Sequence, residues 1–147
     1  MRAILVAAVA QLLMASAHAN HVTVQPTSVS VVLPSSGSKQ VHVTVAFLPS
    51  PVGYSYNIFL STDSQCLNPS PVFFVTIEGD EDSGLVPPQG EFADYWLEFD
   101  VNGFSPGSYS GNFCVSVEGS MILPEHDALP VNLEVSADAL FVDGFDQ

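Results

Sequence analysis

The sequence predicts an all-β protein, a single antiparallel β-sandwich of about seven or eight strands, and three observations carry that reading. Apolar and polar residues alternate along almost the whole chain between residues 22 and 135. No stretch sustains a helical period. Turns rich in Pro, Gly, Ser and Asn break the alternation at roughly 8- to 12-residue spacing.

Residues 1–19 stand apart from this pattern. Arg2 precedes an apolar run from Ala3 to Leu13, and Ala17-His18-Ala19 places small residues three and one before a cut, the build of a cleaved secretory signal peptide. The run is too short to cross a bilayer, and no second apolar stretch approaches membrane length. Cleavage after Ala19 makes Asn20 the first residue of a sandwich domain over 20–136, with 137–147 as a C-terminal tail. The protein is therefore expected to be secreted or periplasmic.

The strands follow in order. The first two are expected near Val22 to Gln25 and Ser28 to Leu33, the second stopped by the Pro34-Ser35-Ser36-Gly37 turn. Gln40 to Leu48 puts Val41, Val43, Val45 and Phe47 on the core side and leaves Gln40, His42 and Thr44 facing out. After Pro49-Ser50-Pro51 comes Tyr54 to Leu60, and after Asn68-Pro69-Ser70-Pro71 comes Val72 to Ile77. Ala93 to Val101 turns Tyr95, Leu97, Phe99 and Val101 inward and Trp96, Glu98 and Asp100 outward, before Asn102-Gly103 ends it. Past Pro106-Gly107, Tyr109 to Val117 sends Tyr109, Gly111, Phe113, Val115 and Val117 inward, so Cys114 faces out beside Asn112 and Ser116. Leu129 to Val135 closes the domain. Strands of this number and spacing make an immunoglobulin-like sandwich.

The stretches VTVQPTSVSVVLPSSGSKQVHVTV, SPGSYSGNFCVSVEG and LPVNLEV resemble bacterial extracellular immunoglobulin-like modules, BACON-type domains among them, and the start resembles fimbrial chaperone and pilin-like sandwiches. The resemblance runs over roughly residues 22 to 136. It implies that Tyr109 is a corner tyrosine whose hydroxyl bonds back to the preceding connection, and it brings no catalytic residue. If the module is pilin-like, it implies a donated strand, with Val22 to Leu33 as the donor. The closing ALFVDGFDQ is similar to the LF-x-DGF tails of secreted gammaproteobacterial proteins, which implies a sorting or processing signal.

Charge excludes several functions. Once Arg2 is removed, Lys39 is the only Lys or Arg against sixteen carboxylates. Nucleic-acid binding by counterion release and adsorption to anionic lipid both need rows of cations, so neither partner is expected. Cys66 and Cys114 are the only two cysteines in a chain bound for an oxidising compartment, which predicts one disulfide. With Cys114 facing out and Cys66 in a loop, that bridge should pin the loop to an outer sheet face.

Three kinds of site are readable. Glu78, Asp80, Glu81 and Asp82 open EGDEDSGLVPPQGEF, where Glu78, Asp80 and Asp82 offer alternating oxygen ligands. Ser83 and Pro88 stand where an EF-hand needs Gly and Glu, so calcium, the one cofactor implied, would need Glu91 or Asp94 as well. Trp96 and Phe59 on an outer face, rimmed by Asn57, Glu98, Asp100 and Asn112, would make an aromatic platform on which a sugar ring stacks. His21, with His42 and His126, would form a copper site if the mature chain began at His21, because a terminal amine and its own imidazole chelate together. Glu98 and Asp100 would lie roughly 6–7 Å apart, within glycosidase range, but alternating carboxylates on a wet face are ordinary. No G-x-S-x-G, H-E-x-x-H or P-loop is present. The expected protein is thus a non-enzymatic binding or structural module, acting in adhesion or surface assembly on a protein or saccharide at the cell exterior.

Overall fold

The computed structural model describes residues 21–137, so the expected signal peptide over 1–19 and all but the first residue of the expected tail over 137–147 lie outside the described residues. Among the described residues there are nine strands: β1 (Val22–Gln25), β2 (Val29–Pro34), β3 (Ser38–Phe47), β4 (Tyr54–Ser61), β5 (Val75–Gly79), β6 (Ser83–Val86), β7 (Glu91–Asp100), β8 (Gly107–Gly119) and β9 (Ile122–Ser136). They form two sheets, ordered β1-β3-β7-β5 and β2-β9-β8-β4-β6. Every pairing is antiparallel except that of β2 with β9. No helix among the described residues is long and apolar enough to cross a membrane.

Alternation set the faces correctly in β3, β7 and β8. Val43, Val45, Tyr95, Leu97, Phe99, Phe113 and Val115 are all fully buried between the sheets, where each large side chain contributes about 1.5–3 kcal/mol. The corner is also as the resemblance implied, since the Tyr109 hydroxyl donates to the Ser105 carbonyl at 2.7 Å. The donor-strand expectation is corrected. Val22 to Leu33 is taken up by its own sandwich, β1 pairing with β3 and β2 running beside β9. The first strand position is filled, and no external strand is needed there.

Two segments depart from the sequence reading. The last strand begins at Ile122 rather than Leu129, because Gly119 and Ile122 pair across a tight hairpin and the ladder continues back to Val117 and Glu125. Pro124 and the charges around it hid this half. A proline is tolerated there because β2 covers β9 only from Val131 on, so the upper half of β9 is an edge. The acidic connection after Ile77 is likewise ordered: β5 pairs with β7 in one sheet, the chain crosses the gap, and β6 pairs with β4 in the other.

Buried hydroxyls hold that crossing. Tyr95 and Tyr56 both donate to the Glu81 carbonyl, at 2.7 and 3.3 Å, and the Ile58 amide donates to the Asp82 carbonyl at 2.6 Å. Asp80 ties the turn to β7, its amide donating to the Asp94 carbonyl and its carboxylate accepting from the Asp94 amide.

Burial raises the pKa values of Tyr95 and Tyr56, and burial with the nearby Glu125 and Glu91 carboxylates pushes Tyr54 up to about 12. An unfolded tyrosine titrates near 10, so the folded chain holds these protons more tightly. Their stabilisation is complete below pH 10 and is lost as the pH rises through the folded values. Absorbance at about 295 nm and circular dichroism should therefore show tyrosine ionisation and unfolding together above about pH 10. Full titration at about pH 10 with the fold intact would contradict this.

Candidate binding surfaces

The loop between β4 and β5 is built onto the outer face of the five-stranded sheet. Cys66 and Cys114 form the expected disulfide with their Cα atoms 5.5 Å apart, and both are fully buried. Cys114 does point out of the sandwich, and it is the loop that covers it. Ser61 Oγ donates to the Asn68 carbonyl at 2.8 Å, the Thr62 amide donates to Ser70 Oγ at 2.7 Å, and the buried Asn112 side chain donates to the Ser61 carbonyl. Phe59, opposite Cys114 on β4, sits beside this loop. With Leu67 and Pro69 it lines a shallow groove of about 420 Å³ that also reaches Asp82 and His126.

Trp96 lies on the other side of the molecule. It is on β7 in the four-stranded sheet, opposite His42 on β3 and Glu78 on β5, and is 38% exposed. The His42 and Trp96 rings lie 5.0 Å apart, and His42 Nε2 and Thr44 Oγ1 both contact Asp94 Oδ1, at 2.8 and 3.0 Å. The single platform of Trp96 with Phe59 is therefore corrected. Alternation tells which residues face outward but not which sheet they belong to, and these two face out from opposite sheets.

The acidic stretch is spread by the strand crossing. Glu78 is the fourth residue of β5, facing Trp96, while Asp82 lies beyond the crossing against β4, and the Asp80 carboxylate is taken up by the Asp94 amide. His42 and His126 are in different sheets, and one carboxylate, Glu125, accepts both the backbone amide and Nδ1 of His21, at 2.7 and 2.8 Å. Among the described residues no three His, Cys, Asp or Glu side chains gather so as to hold a metal ion.

The surface that sequence reasoning missed is one end of the sandwich. Among the described residues, Leu48, Val52, Leu85, Phe92, Met121 and Leu123 are six of the ten exposed large hydrophobic side chains, and all sit on strand ends or loops at this end, Phe92 on the four-stranded sheet and Leu85 and Leu123 on the five-stranded one. Leu85, Phe92 and Leu123 are 78%, 77% and 79% exposed, and they crowd one end of the sandwich from both of its sheets. The loops are stiffened by Pro49, Pro51, Pro87 and Pro88 and tied together. The Ser50 amide donates to the Pro88 carbonyl at 3.0 Å and the Leu48 amide to the His21 carbonyl at 2.8 Å. The buried Tyr54 hydroxyl bridges beneath, within hydrogen-bond reach of the Leu48 and His21 carbonyls. The signal was present as LPSPV, VPPQGEF and SMIL, apolar residues placed in turns where alternation predicts polar ones.

No protein-family model matches the chain, and no curated protein matches it in sequence. Solved structures do. The periplasmic chaperone SfaE superposes with a TM-score of 0.53 at 12% identity over 78% of this chain and 57% of its own. A PapD-like domain of human CEP192 gives 0.52 at 9% identity, over 80% and 86%. A family 123 glycoside hydrolase from Clostridium perfringens gives 0.52 at 14% identity, over 76% of this chain and 23% of its own. The chain thus spans little more than half of the chaperone and under a quarter of the hydrolase. What these likenesses establish is the fold, an immunoglobulin-like sandwich, which such different proteins share.

Proposed function

We propose that the protein is a non-enzymatic binding module of the periplasm or cell exterior that docks a protein partner through the apolar end of its sandwich. The observation that carries the reading is the set of exposed apolar side chains on the strand ends and the proline-stiffened, cross-bonded loops at this end. Loops already ordered lose little freedom on binding, so apolar contact there converts efficiently into affinity. The secretory signal and the disulfide support the compartment. A periplasmic chaperone with the same fold supports a role in handling other proteins.

Photo-crosslinkers placed at Leu123 and, as a control, at Gln40 on the far half of the other sheet would test this in the native host. Capture from Leu123 alone, lost when Phe92 and Met121 become serine, is expected. The serine variants should change stability by only about 0.5 kcal/mol each, as surface substitutions do. Equal capture from both positions, or capture indifferent to the serine changes, would remove the reading.

A second reading keeps the exposed Trp96–His42 ring pair as a saccharide platform, with Glu78, Asp94 and Glu98 as its rim. Glycan-array binding that survives Trp96→Ala would end it.

A further inference from the structure

We infer that the amino terminus left by the expected cut after Ala19 is a copper(II) site. Its donors are the free amine of Asn20, the backbone nitrogen and Nδ1 of His21, and a carboxylate oxygen of Glu125. The site is independent of the docking role proposed above, and it uses neither His42 nor His126. Two of its donors belong to the backbone, so it does not need a gathering of metal-binding side chains.

The chemistry starts from residue order. When histidine is second in a chain, its own amide nitrogen lies between the terminal amine and the imidazole. Copper(II) binds all three if that amide gives up its proton: amine and amide close a five-membered ring, amide and Nδ1 a six-membered one. Copper(II) stands highest among the first-row divalent metals at nitrogen sites and takes the square arrangement these rings impose. The side chain must then present Nδ1, not Nε2, on the same side as its amide.

The fold holds His21 in that way. Its amide donates to Glu125 Oε2 at 2.7 Å, and its Nδ1 lies 2.8 Å from Oε1 of the same carboxylate. Two nitrogens that meet one carboxylate point into one region of space, which is the bite that chelation requires. The rest of the residue is fixed as well. Its carbonyl accepts from the Leu48 amide at 2.8 Å and from the Tyr54 hydroxyl at 3.0 Å, and its ring stands edge-on to Tyr54 at 5.8 Å. A free peptide would lose on binding the rotational freedom that this residue has already given up. The His21 and Glu125 side chains are each 22% exposed, so an ion reaches them from solvent.

The charges balance. Binding releases two protons to solvent, one from the terminal ammonium and one from the His21 amide. Glu125 gives up its two hydrogen bonds, and one of its oxygens takes the fourth position. Amidate and carboxylate together cancel the two charges of copper(II), so a neutral centre forms beside the buried Tyr54. The chain's one Lys beyond the signal, Lys39, lies at the far end of β3 from Phe47, where Val22 pairs, and does not oppose the ion.

The test uses the protein secreted and processed by its own host, with its first residue read from the intact mass. It is titrated with copper(II) sulfate and followed by electron paramagnetic resonance and by melting temperature. Expected is a chain that begins at Asn20, takes up one copper(II) coupled to three nitrogens and melts higher when loaded. It should bind about tenfold more tightly than a synthetic peptide of residues 20–23, whose histidine is free to rotate. A flexible Gly-Ser extension ahead of Asn20 leaves every side chain of the fold in place and should abolish the three-nitrogen signal, as should His21→Ala. Glu125→Gln should keep the three nitrogens and weaken binding about tenfold, while His42→Ala and His126→Ala change nothing. A chain that begins elsewhere, a chain that takes up no copper(II), or a signal that survives the extension would overturn the inference. So would binding no tighter than the peptide's, because the fold would then contribute nothing to the site.

Discussion

Replacing both Cys66 and Cys114 by alanine is expected to lower the unfolding free energy by about 4 kcal/mol, the chain-entropy value for a loop of this size. The two residues are 48 apart in sequence, so the bridge removes a long loop's freedom from the unfolded chain. The native side adds to the effect. The bridge covers the outer face at Cys114, where Asn112 is buried and bonded to the Ser61 carbonyl, and a lifted loop would strip that donor of its partner. The next residues carry core side chains: Val72 packs against Gly111, and Phe74 stacks with Phe99. Loosening at Cys66 therefore spreads toward the core rather than staying in the loop. For a domain of this size the melting temperature should fall by roughly 10–20 °C. Calorimetry of the double variant, and of the native protein with and without reductant, measures it. A loss under about 1 kcal/mol would mean that the loop's own hydrogen bonds hold it and the bridge is redundant.

The bridge was legible in the sequence because a period of two assigns every residue of β8 to a face, and Cys114 falls opposite Phe113 and Val115. The same logic placed the core of β3 and β7. It stopped where a strand changes partner. Nothing in the alternation of Val72 to Ile77 says that the chain will leave β7 after Gly79 and join β4, so Glu78 and Asp82 looked like neighbours in a loop and ended on either side of the crossing between the sheets. Trp96 and Phe59 were joined for the same reason, an outward face being a local property and sheet membership a global one. The apolar end was missed because the sequence reading began β7 at Ala93 and β9 at Leu129, so Phe92 and Leu123 fell in stretches read as loop, where no period makes them anomalous. Only the assembled registers show that these residues are at one end.

Gly79→Ala tests the crossing itself and should cost about 4 kcal/mol, against about 1 kcal/mol for Gly103→Ala. Gly79 has φ +132°, a backbone region costing an L-residue roughly 1–3 kcal/mol, and a Cβ there would lie 2.4 Å from the Asp94 carbonyl oxygen and 3.0 Å from the Tyr95 Cα. Both neighbours are backbone in the middle of β7, so the alanine cannot be admitted by a side-chain rotation. β5 must withdraw, and with it Asp80 loses its paired bonds to Asp94 and Glu81 moves away from the Tyr95 hydroxyl. That hydroxyl is fully buried, so its lost partner adds about 1–3 kcal/mol that no water replaces. Gly103 also has a positive φ, +85°, but nothing lies within 4 Å of its Cβ position, so its substitution reports the backbone penalty alone. Urea unfolding of the two variants separates the terms. Similar losses would mean that β5 can shift freely and that Tyr95, Tyr56 and Glu81 do not anchor the strand switch. A large excess at Gly79 would show that the acidic stretch contains a glycine because a strand must pass between two sheets there, close against β7, and that its carboxylates face solvent on either side of that passage.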